Sequence, residues 1–549
     1  MAEPALTERV ERWIADDPDP EAQAELRALL DAGAADELAA RFAGGLRFGT
    51  AGLRGPLGAG PTRMNVATVR RASAGLAAYL LDAVDGAAHA GIVIGHDARH
   101  GSERFAAEAA AVCSGAGLRT LRLPPRAPTP LLAFAVRKLH CAAGVMVTAS
   151  HNPAQDNGYK VYLGDGAQIT PPADERIAAA IDAVGPLAGV PLGDGGERLG
   201  DEVAEHYLKA ICRHLPHTRE RDLRIVYTPL HGVGRDLALR AFARAGFAPP
   251  HVVAEQAEPD PDFPTAPRPN PEEGGVLDRA LAAAEREAAD IVLANDPDAD
   301  RLAVAIPAAG GGWRRLHGDE TGALLADFLL EHTQHHRREL LVTTVASSSL
   351  LGRMAAAAGA GFAETLTGFK WIMRAAAEQP ERELLLGYEE ALGYAVSGVV
   401  RDKDGISAAL VMAQLAAAER ARGRTLEQRL DAIAERFGRH ATEPVTLVLE
   451  GADGLARMRA IMDGVRAHPP GALLGHEVVA IEDLRDGVRL PPSDVLVIHA
   501  DGARVVIRPS GTEPKLKAYL EVIVDGDGAA AAGALARLRA EVEELLAAG

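Results

Sequence analysis

The chain has 549 residues, room for three or four domains at about 150 residues each, every one able to bury its own core. Its 76 acidic residues outnumber 58 basic ones, and a net charge of -18 speaks against a broad nucleic-acid footprint without forbidding local phosphate pockets. Cys113, Cys141 and Cys212 are too few and too far apart for a disulfide framework or a Cys-rich metal site. No apolar run approaches a membrane span and the N-terminus is acidic, unlike a signal peptide, so a cytoplasmic protein with neither membrane nor nucleic-acid partner is expected.

Residues 5–42 place apolar side chains at helical spacing among Ala, Glu and Arg, which predicts a helical N-terminal extension, 1–46. From Arg47 onward short apolar runs alternate with helix-like stretches: Gly91 to Gly95 before 102–116, Arg224 to Tyr227 before 234–245, Leu340 to Val345 before 349–358. Such alternation predicts α/β units with largely parallel sheets. Stretches near 185–200 and 310–312 are rich in Gly and Pro and read as linkers or edge loops. The last part differs, with strands at 445–449, 494–499, 504–508 and 515–524 and a final amphipathic helix over 529–546. The predicted architecture is an α/β fold: α/β domains at 47–204, 205–314 and 315–440, then an α+β domain at 441–549.

The most informative stretch is Thr148–Lys160, where the apolar run Cys141 to Val147 ends in a polar loop holding Ser150, His151, Asn152 and Pro153. A serine on a fixed turn at a strand end can be a nucleophile once something activates it, and a plain polar turn is the alternative. The lysines sharpen the choice. Only seven of the 58 basic residues are lysine, and five of them, Lys160, Lys370, Lys403, Lys515 and Lys517, fall inside the motifs described here. A retained lysine supplies a compact, titratable charge that arginine does not imitate.

Asp296, Asp298 and Asp300 follow the run Ile291–Ala294, and spacing of two residues aims three carboxylates to one side of an extended segment. That is a site for a hard cation such as Mg²⁺; an acidic turn is the alternative, while a calcium loop fails because Arg301 and Pro307 stand where Gly and Glu are required. Arg504–Lys517 reads as strand, tight loop and strand, with Arg508, Ser510, Gly511 and Thr512 offering an anion cradle and Lys515 or Lys517 further charge. A plain hairpin stays open, and a P-loop does not, since the chain contains no Gly-Lys pair. Gly387–Gly393 carries two carboxylates suited to sugar hydroxyls, a weak signal alone, as are Thr367–Lys370 and Asp402–Gly405. Phe48–Gly55, with Thr50, is a glycine-rich loop that delivers Arg54 as a phosphate contact. Together these motifs, one set per domain, point to phosphoryl transfer on a phosphosugar in a cleft.

In this order the segments Phe48–Gly55, Thr148–Lys160, Asp296–Arg301, Thr367–Lys370, Glu389–Gly393 and Arg508–Lys517 resemble the α-D-phosphohexomutase superfamily, in its phosphoglucomutase and phosphopentomutase branch. The resemblance implies four domains around a central cleft, three related α/β domains with mixed sheets and a separate C-terminal one. It also implies a phosphorylated Ser150 beside Mg²⁺, with Ser150, Asp296, Asp298 and Asp300 as ligands. Arg54 and Arg301 would steady the transferring group, and Lys160 or else His151 would move the proton. Substrate would be held by Thr50, Lys370, Glu389, Arg508, Ser510, Gly511, Thr512 and Lys517. The implied partners are a sugar monophosphate and its bisphosphate, with the chain a monomer or dimer. The implied reaction exchanges phosphate between C1 and C6 of glucose. Phosphomannomutase and phosphopentomutase are alternatives, followed by a sugar-bisphosphate synthase and a metal-dependent phosphatase. Ala391 and Leu392 stand where many hexomutases carry a serine and a nearby histidine, which puts hexose preference in question. Pro297 and Ala299 replace glycines common between the metal aspartates.

Overall fold

The computed structural model describes residues 6–48, 52–449, 453–510 and 515–548. The chain forms two compact units, one of residues 1–215, 221–314 and 398–413, the other of 216–220, 315–397 and 414–549. Among the described residues no helix is long and apolar enough to cross a membrane. Cys113, Cys141 and Cys212 are free thiols, the first two buried.

The first unit opens with helices Leu6–Asp16, Pro20–Asp31 and Ala35–Arg41. Pro20 opens the second helix behind Asp19, whose side chain accepts from the Glu21 N–H. Their apolar stripes (Val10, Ile14, Leu26, Leu38) meet Phe42 in a small core of their own. Arg41 ties this extension down by pairing with Glu25 and Glu37 and donating to the Ala59 carbonyl.

Next comes a six-stranded sheet in the order Leu53–Pro56, Asp156–Leu163, Ala143–Val147, Ile92–His96, Thr120–Arg122, Glu197–Arg198. The last four strands are parallel, as the strand–helix alternation predicts. Asp156–Leu163 and Leu53–Pro56 run antiparallel. The loop 148–155 is too short for the crossover of a dozen or so residues that a parallel return needs, so the chain folds back as a hairpin. The stretch near 185–200 supplies the sheet's edge strand.

A second sheet, ordered Trp313–Arg315, Ala303–Pro307, Ile291–Ala294, Ile225–Thr228, His251–Val252, is likewise parallel at one end and antiparallel at the other. Residues 310–312 turn between Ala303–Pro307 and the edge strand Trp313–Arg315. The chain returns to this unit with residues 398–413, beyond the expected end of the second domain at 314.

The second unit holds a sheet ordered Gly361–Thr365, Glu339–Thr344, Glu383–Glu389, Gly393–Ala395, parallel except for the last pair. Its other sheet is antiparallel: Arg439–Val448, Lys515–Val524, Ala503–Pro509, Leu496–Ala500, His476–Asp483, Ala472–Leu473. Alternate residues such as Val505, Ile507, Leu516 and Leu520 pack on Leu538 and Val542 of the helix Gly528–Ala548. This is the α+β part that the strand-rich C-terminal pattern predicts.

Candidate active site

Ser150 sits in the hairpin loop between Ala143–Val147 and Asp156–Leu163, buried, with a left-handed backbone (φ +53°) that a non-glycine residue adopts only under restraint. Several bonds supply that restraint. The Ser150 N–H donates to Thr148 Oγ1 (2.8 Å), and Asn152 Nδ2 donates to Asp156 (2.8 Å) while its Oδ1 accepts from Arg54 (2.8 Å). Gly158 lets the arms of the loop close, since a Cβ there would lie 2.5 Å from the Thr148 carbonyl oxygen. Ser150 Oγ donates to Asp296 Oδ2 (2.7 Å), and His151 Nδ1 lies 3.1 Å from the same Oγ.

Asp296, Asp298 and Asp300 are all buried, and one oxygen of each lies within 4.8 Å of the others. They do not converge by alternation along an extended segment, as the spacing alone suggests. The loop after Ile291–Ala294 turns instead, with Ala299 left-handed (φ +58°) and its N–H donating to the Asp296 carbonyl (2.9 Å). Asn295 holds the loop closed by donating to the Arg301 carbonyl (2.7 Å) and accepting from Tyr227 (2.8 Å). Asp296 also accepts from the Arg301 N–H (3.0 Å).

Lys160 Nζ bridges Asp298 (2.8 Å) and Asp300 (3.0 Å), and Lys403 Nζ lies 3.3 Å from Asp300. Burial opposes charge on all three carboxyls. For Asp300 the ammoniums of Lys160 and Lys403 and the Arg301 guanidinium override it and hold the carboxyl far below the usual range. Among the described residues Asp296 has no such ammonium partner, and burial followed by repulsion from Asp298 and Asp300 pushes it well above that range. Burial likewise opposes charge on Lys160, but Asp298 and Asp300 reverse it and raise the ammonium's pKa. His151 is pushed well below the ordinary imidazole value by burial and then by Arg301 and Arg54.

Asp298 Oδ1 and Asp300 Oδ1 are buried and, among the described residues, accept no hydrogen bond. Orphaned carboxylate oxygens in an all-oxygen donor set fit a hard divalent cation, so the three residues are able to hold a metal ion.

The other sequence-predicted residues distribute as follows. Arg54 lies on the strand beside the Ser150 hairpin and contacts it through Asn152. The Arg301 guanidinium lies 3.4 Å from Glu272, and its backbone N–H donates to Asp296 of the trio. In the second unit, Lys370 is buried in the first turn of Phe369–Ala377. Glu389 ends the strand Glu383–Glu389 and pairs with Gly393, which sets the two acids at a hairpin tip. Glu390 is engaged by Thr344 and Ser347 (3.2 Å each). Arg508 donates to Thr367 Oγ1 and stands opposite Lys517, and the Ser510 N–H donates to the Lys515 carbonyl (2.7 Å). Thr50, Gly511 and Thr512 lie outside the described residues.

Thr129 and Arg99 escape the sequence patterns, whereas Asp402 belongs to the motif Asp402–Gly405 named above. Thr129 Oγ1 donates to Asp298 Oδ2 (2.7 Å) from the first turn of Thr129–Lys138. Arg99 donates to carbonyls of the Ser150 loop. Asp402, beside Lys403, accepts from Tyr162 (2.7 Å) and Gln168 (2.8 Å), which anchors the segment carrying that lysine. The scarcity of lysine is a usable signal for Lys403; Thr129 and Arg99 carry none.

A serine hydrogen-bonded to a buried, metal-competent carboxylate trio is an arrangement chemically suited to phosphoryl transfer. Four models of the phosphoglucomutase/phosphomannomutase family match in order: alpha/beta/alpha domain I over residues 45–186, domain II over 205–311, domain III over 317–437 and the C-terminal domain over 447–544. A probable phosphomannomutase of Haemophilus influenzae is 42% identical over 83% of this chain and 93% of its own length. A phosphopentomutase of Mus musculus is 35% identical over 94% of this chain and 90% of its own. The crystal structure of a putative phosphomannomutase from Thermus thermophilus superimposes with a TM-score of 0.71 at 26% identity, covering 91% of this chain and 99% of that one. The chain therefore belongs to the phosphoglucomutase/phosphomannomutase family. It is an enzyme of the mutase class, an intramolecular phosphotransferase.

Proposed function

We propose that this enzyme interconverts α-D-glucose 1-phosphate and glucose 6-phosphate through a phosphorylated Ser150 and a glucose 1,6-bisphosphate that reorients without leaving. The observation that carries this reading is the 2.7 Å bond from Ser150 Oγ to Asp296 inside the buried trio. In the first half, the bond between phosphorus and Ser150 Oγ breaks as a new one forms to the free hydroxyl of the sugar monophosphate, whose proton ends on Ser150 Oγ. In the second, Ser150 Oγ gives up that proton as it attacks the other phosphate of the bisphosphate, and the departing sugar oxygen takes it up as the product hydroxyl. Asp296, Asp298 and Asp300 would hold Mg²⁺, which when bound offsets the charge that accumulates on the transferring group.

His151 is assigned the proton of Ser150 Oγ. It is 3.1 Å away, and its depressed pKa keeps it neutral at pH 7, able to accept when Ser150 attacks. Lys160, held charged by two carboxylates, is assigned charge stabilisation rather than proton transfer. Arg54 and Arg301 are assigned to the transferring phosphoryl group. Arg508, Ser510, Gly511, Thr512 and Lys517 take the phosphate that stays in place, and Thr50, Lys370 and Glu389 complete the substrate contacts.

A pentose 1-phosphate/5-phosphate pair is the second reading. It is favoured by Ala391 and Leu392, which put no hydroxyl or imidazole after the paired acids, and by Tyr394, whose hydroxyl donates to the Gly318 carbonyl (3.2 Å). Comparing kcat/KM for glucose, mannose and ribose 1-phosphates with Mg²⁺ present decides between them. Ser150→Ala is expected to abolish turnover while leaving sugar-phosphate binding intact; near-normal turnover would remove the phosphoserine reading.

A further inference from the structure

Arg99 lies between the strand Ile92–His96 and the helix Ser102–Gly115, 4% exposed. Its Nη2 donates to the carbonyls of Ser150 (2.7 Å) and Asn152, and its Nη1 to those of Pro153 (2.8 Å) and Asp156 (3.2 Å). One guanidinium thus serves three carbonyls of the loop and that of Asp156, the first residue of the strand that follows it. The guanidinium carbon sits 4.8 Å from the centre of the Phe263 ring, and Nε is 3.4 Å from Asp97 Oδ2. Asp97 is fixed in turn, since its Oδ1 accepts from the Arg99 N–H (3.0 Å) and from Ser102 Oγ (2.6 Å). Partners on several sides leave the guanidinium a single pose.

We propose that Arg99 is the positioning residue of the phosphoryl-transfer step: it locks Ser150 in its left-handed conformation and so keeps Oγ within bonding distance of Asp296. This rests on the assignment of Ser150 as the phosphoryl carrier. A lysine cannot replace Arg99 fully, because one ammonium does not span four carbonyls as a planar fork does. Sugar-phosphate affinity stays near wild type, because the groups assigned to the substrate are other residues.

The test uses the full-length enzyme, with Arg99→Gln, Arg99→Lys and Phe263→Leu. For each, kcat, KM and the rate at which glucose 1,6-bisphosphate phosphorylates Ser150 are measured, with circular dichroism to confirm folding. Arg99→Gln is expected to lose about 10²-fold in kcat and in phosphorylation rate, the effect of an ångström-scale misplacement, with KM changed less than about 3-fold. Arg99→Lys falls between it and wild type, and Phe263→Leu loses a few-fold. A folded Arg99→Gln with wild-type kcat and phosphorylation rate overturns the proposal, as does a KM that rises as far as kcat falls. If Arg99→Gln does not fold, wild-type kcat in both other variants overturns it. A wild-type enzyme that never carries phosphate on Ser150 overturns the serine assignment, and this proposal with it.

Discussion

Ser150 and Ala299 are both non-glycine residues held with positive φ, and both lie in the loops that bring the hydroxyl to the carboxylates. Strain concentrated at such positions persists only where the surroundings impose it. Here Thr148, Asn152 and Arg54 do so on one side, and Asn295 and the Arg301 N–H on the other. Thr129 acts at the same scale: its hydroxyl donates to Asp298 Oδ2, while Oδ1 has no hydrogen-bond partner among the described residues. Thr129→Val should weaken divalent-metal binding about 10- to 100-fold, as loss of an outer-shell hydrogen bond does, read by titration calorimetry with Mg²⁺. Unchanged affinity would remove Thr129 from that role. Ser150 and the three aspartates could be read in the sequence because each motif concentrates chemistry in a few consecutive residues. Thr129 and Arg99 could not, because each meets its partner only after the chain has folded and neither alters the local pattern.

At the scale of elements, the hairpin 143–163 does most of the positioning. Its return strand carries Lys160 to the carboxylates and, through Leu53–Pro56, sets Arg54 beside the serine loop. Gly158→Ala would force a Cβ against two backbone oxygens, Thr148 O at 2.5 Å and Leu53 O at 2.9 Å. It should cost about 1–3 kcal/mol, a typical overpacking penalty, seen as a lower thermal midpoint together with reduced kcat. The apolar runs announced these strands, but their direction follows from loop length, so the antiparallel edges are departures from the parallel pattern. The placement of 398–413 with the first unit was likewise hidden. Lys403 reaches Asp300 across about a hundred residues of sequence, and only its rarity as a lysine and the ambiguous motif Asp402–Gly405 marked it.

At the scale of the molecule, each unit has its own internal ties. In the second, the buried Glu521 accepts from Ser348 (2.6 Å), lies 2.9 Å from His440 Nδ1 and 3.7 Å from Arg504. Burial opposes the charge, but His440, Arg504 and Ser348 outweigh it and bring the carboxyl down to about 2. A depressed carboxyl stabilises the fold above its unfolded value, near 4.5, and that contribution fades as pH falls toward 2. Glu521→Gln should therefore lower the thermal midpoint clearly at pH 6, by a gap that narrows as pH drops from 4.5 to 3; a gap constant with pH would contradict the linkage.

The central claim is that Ser150 carries the phosphoryl group. The direct measurement charges the purified enzyme with glucose 1,6-bisphosphate, maps the phosphate by peptide mass spectrometry, then adds sugar monophosphate in a single turnover. One phosphate on Ser150, lost to the sugar as the bisphosphate appears, is the predicted result. An enzyme that turns over with Ser150 unmodified throughout, or that releases inorganic phosphate instead, would contradict it.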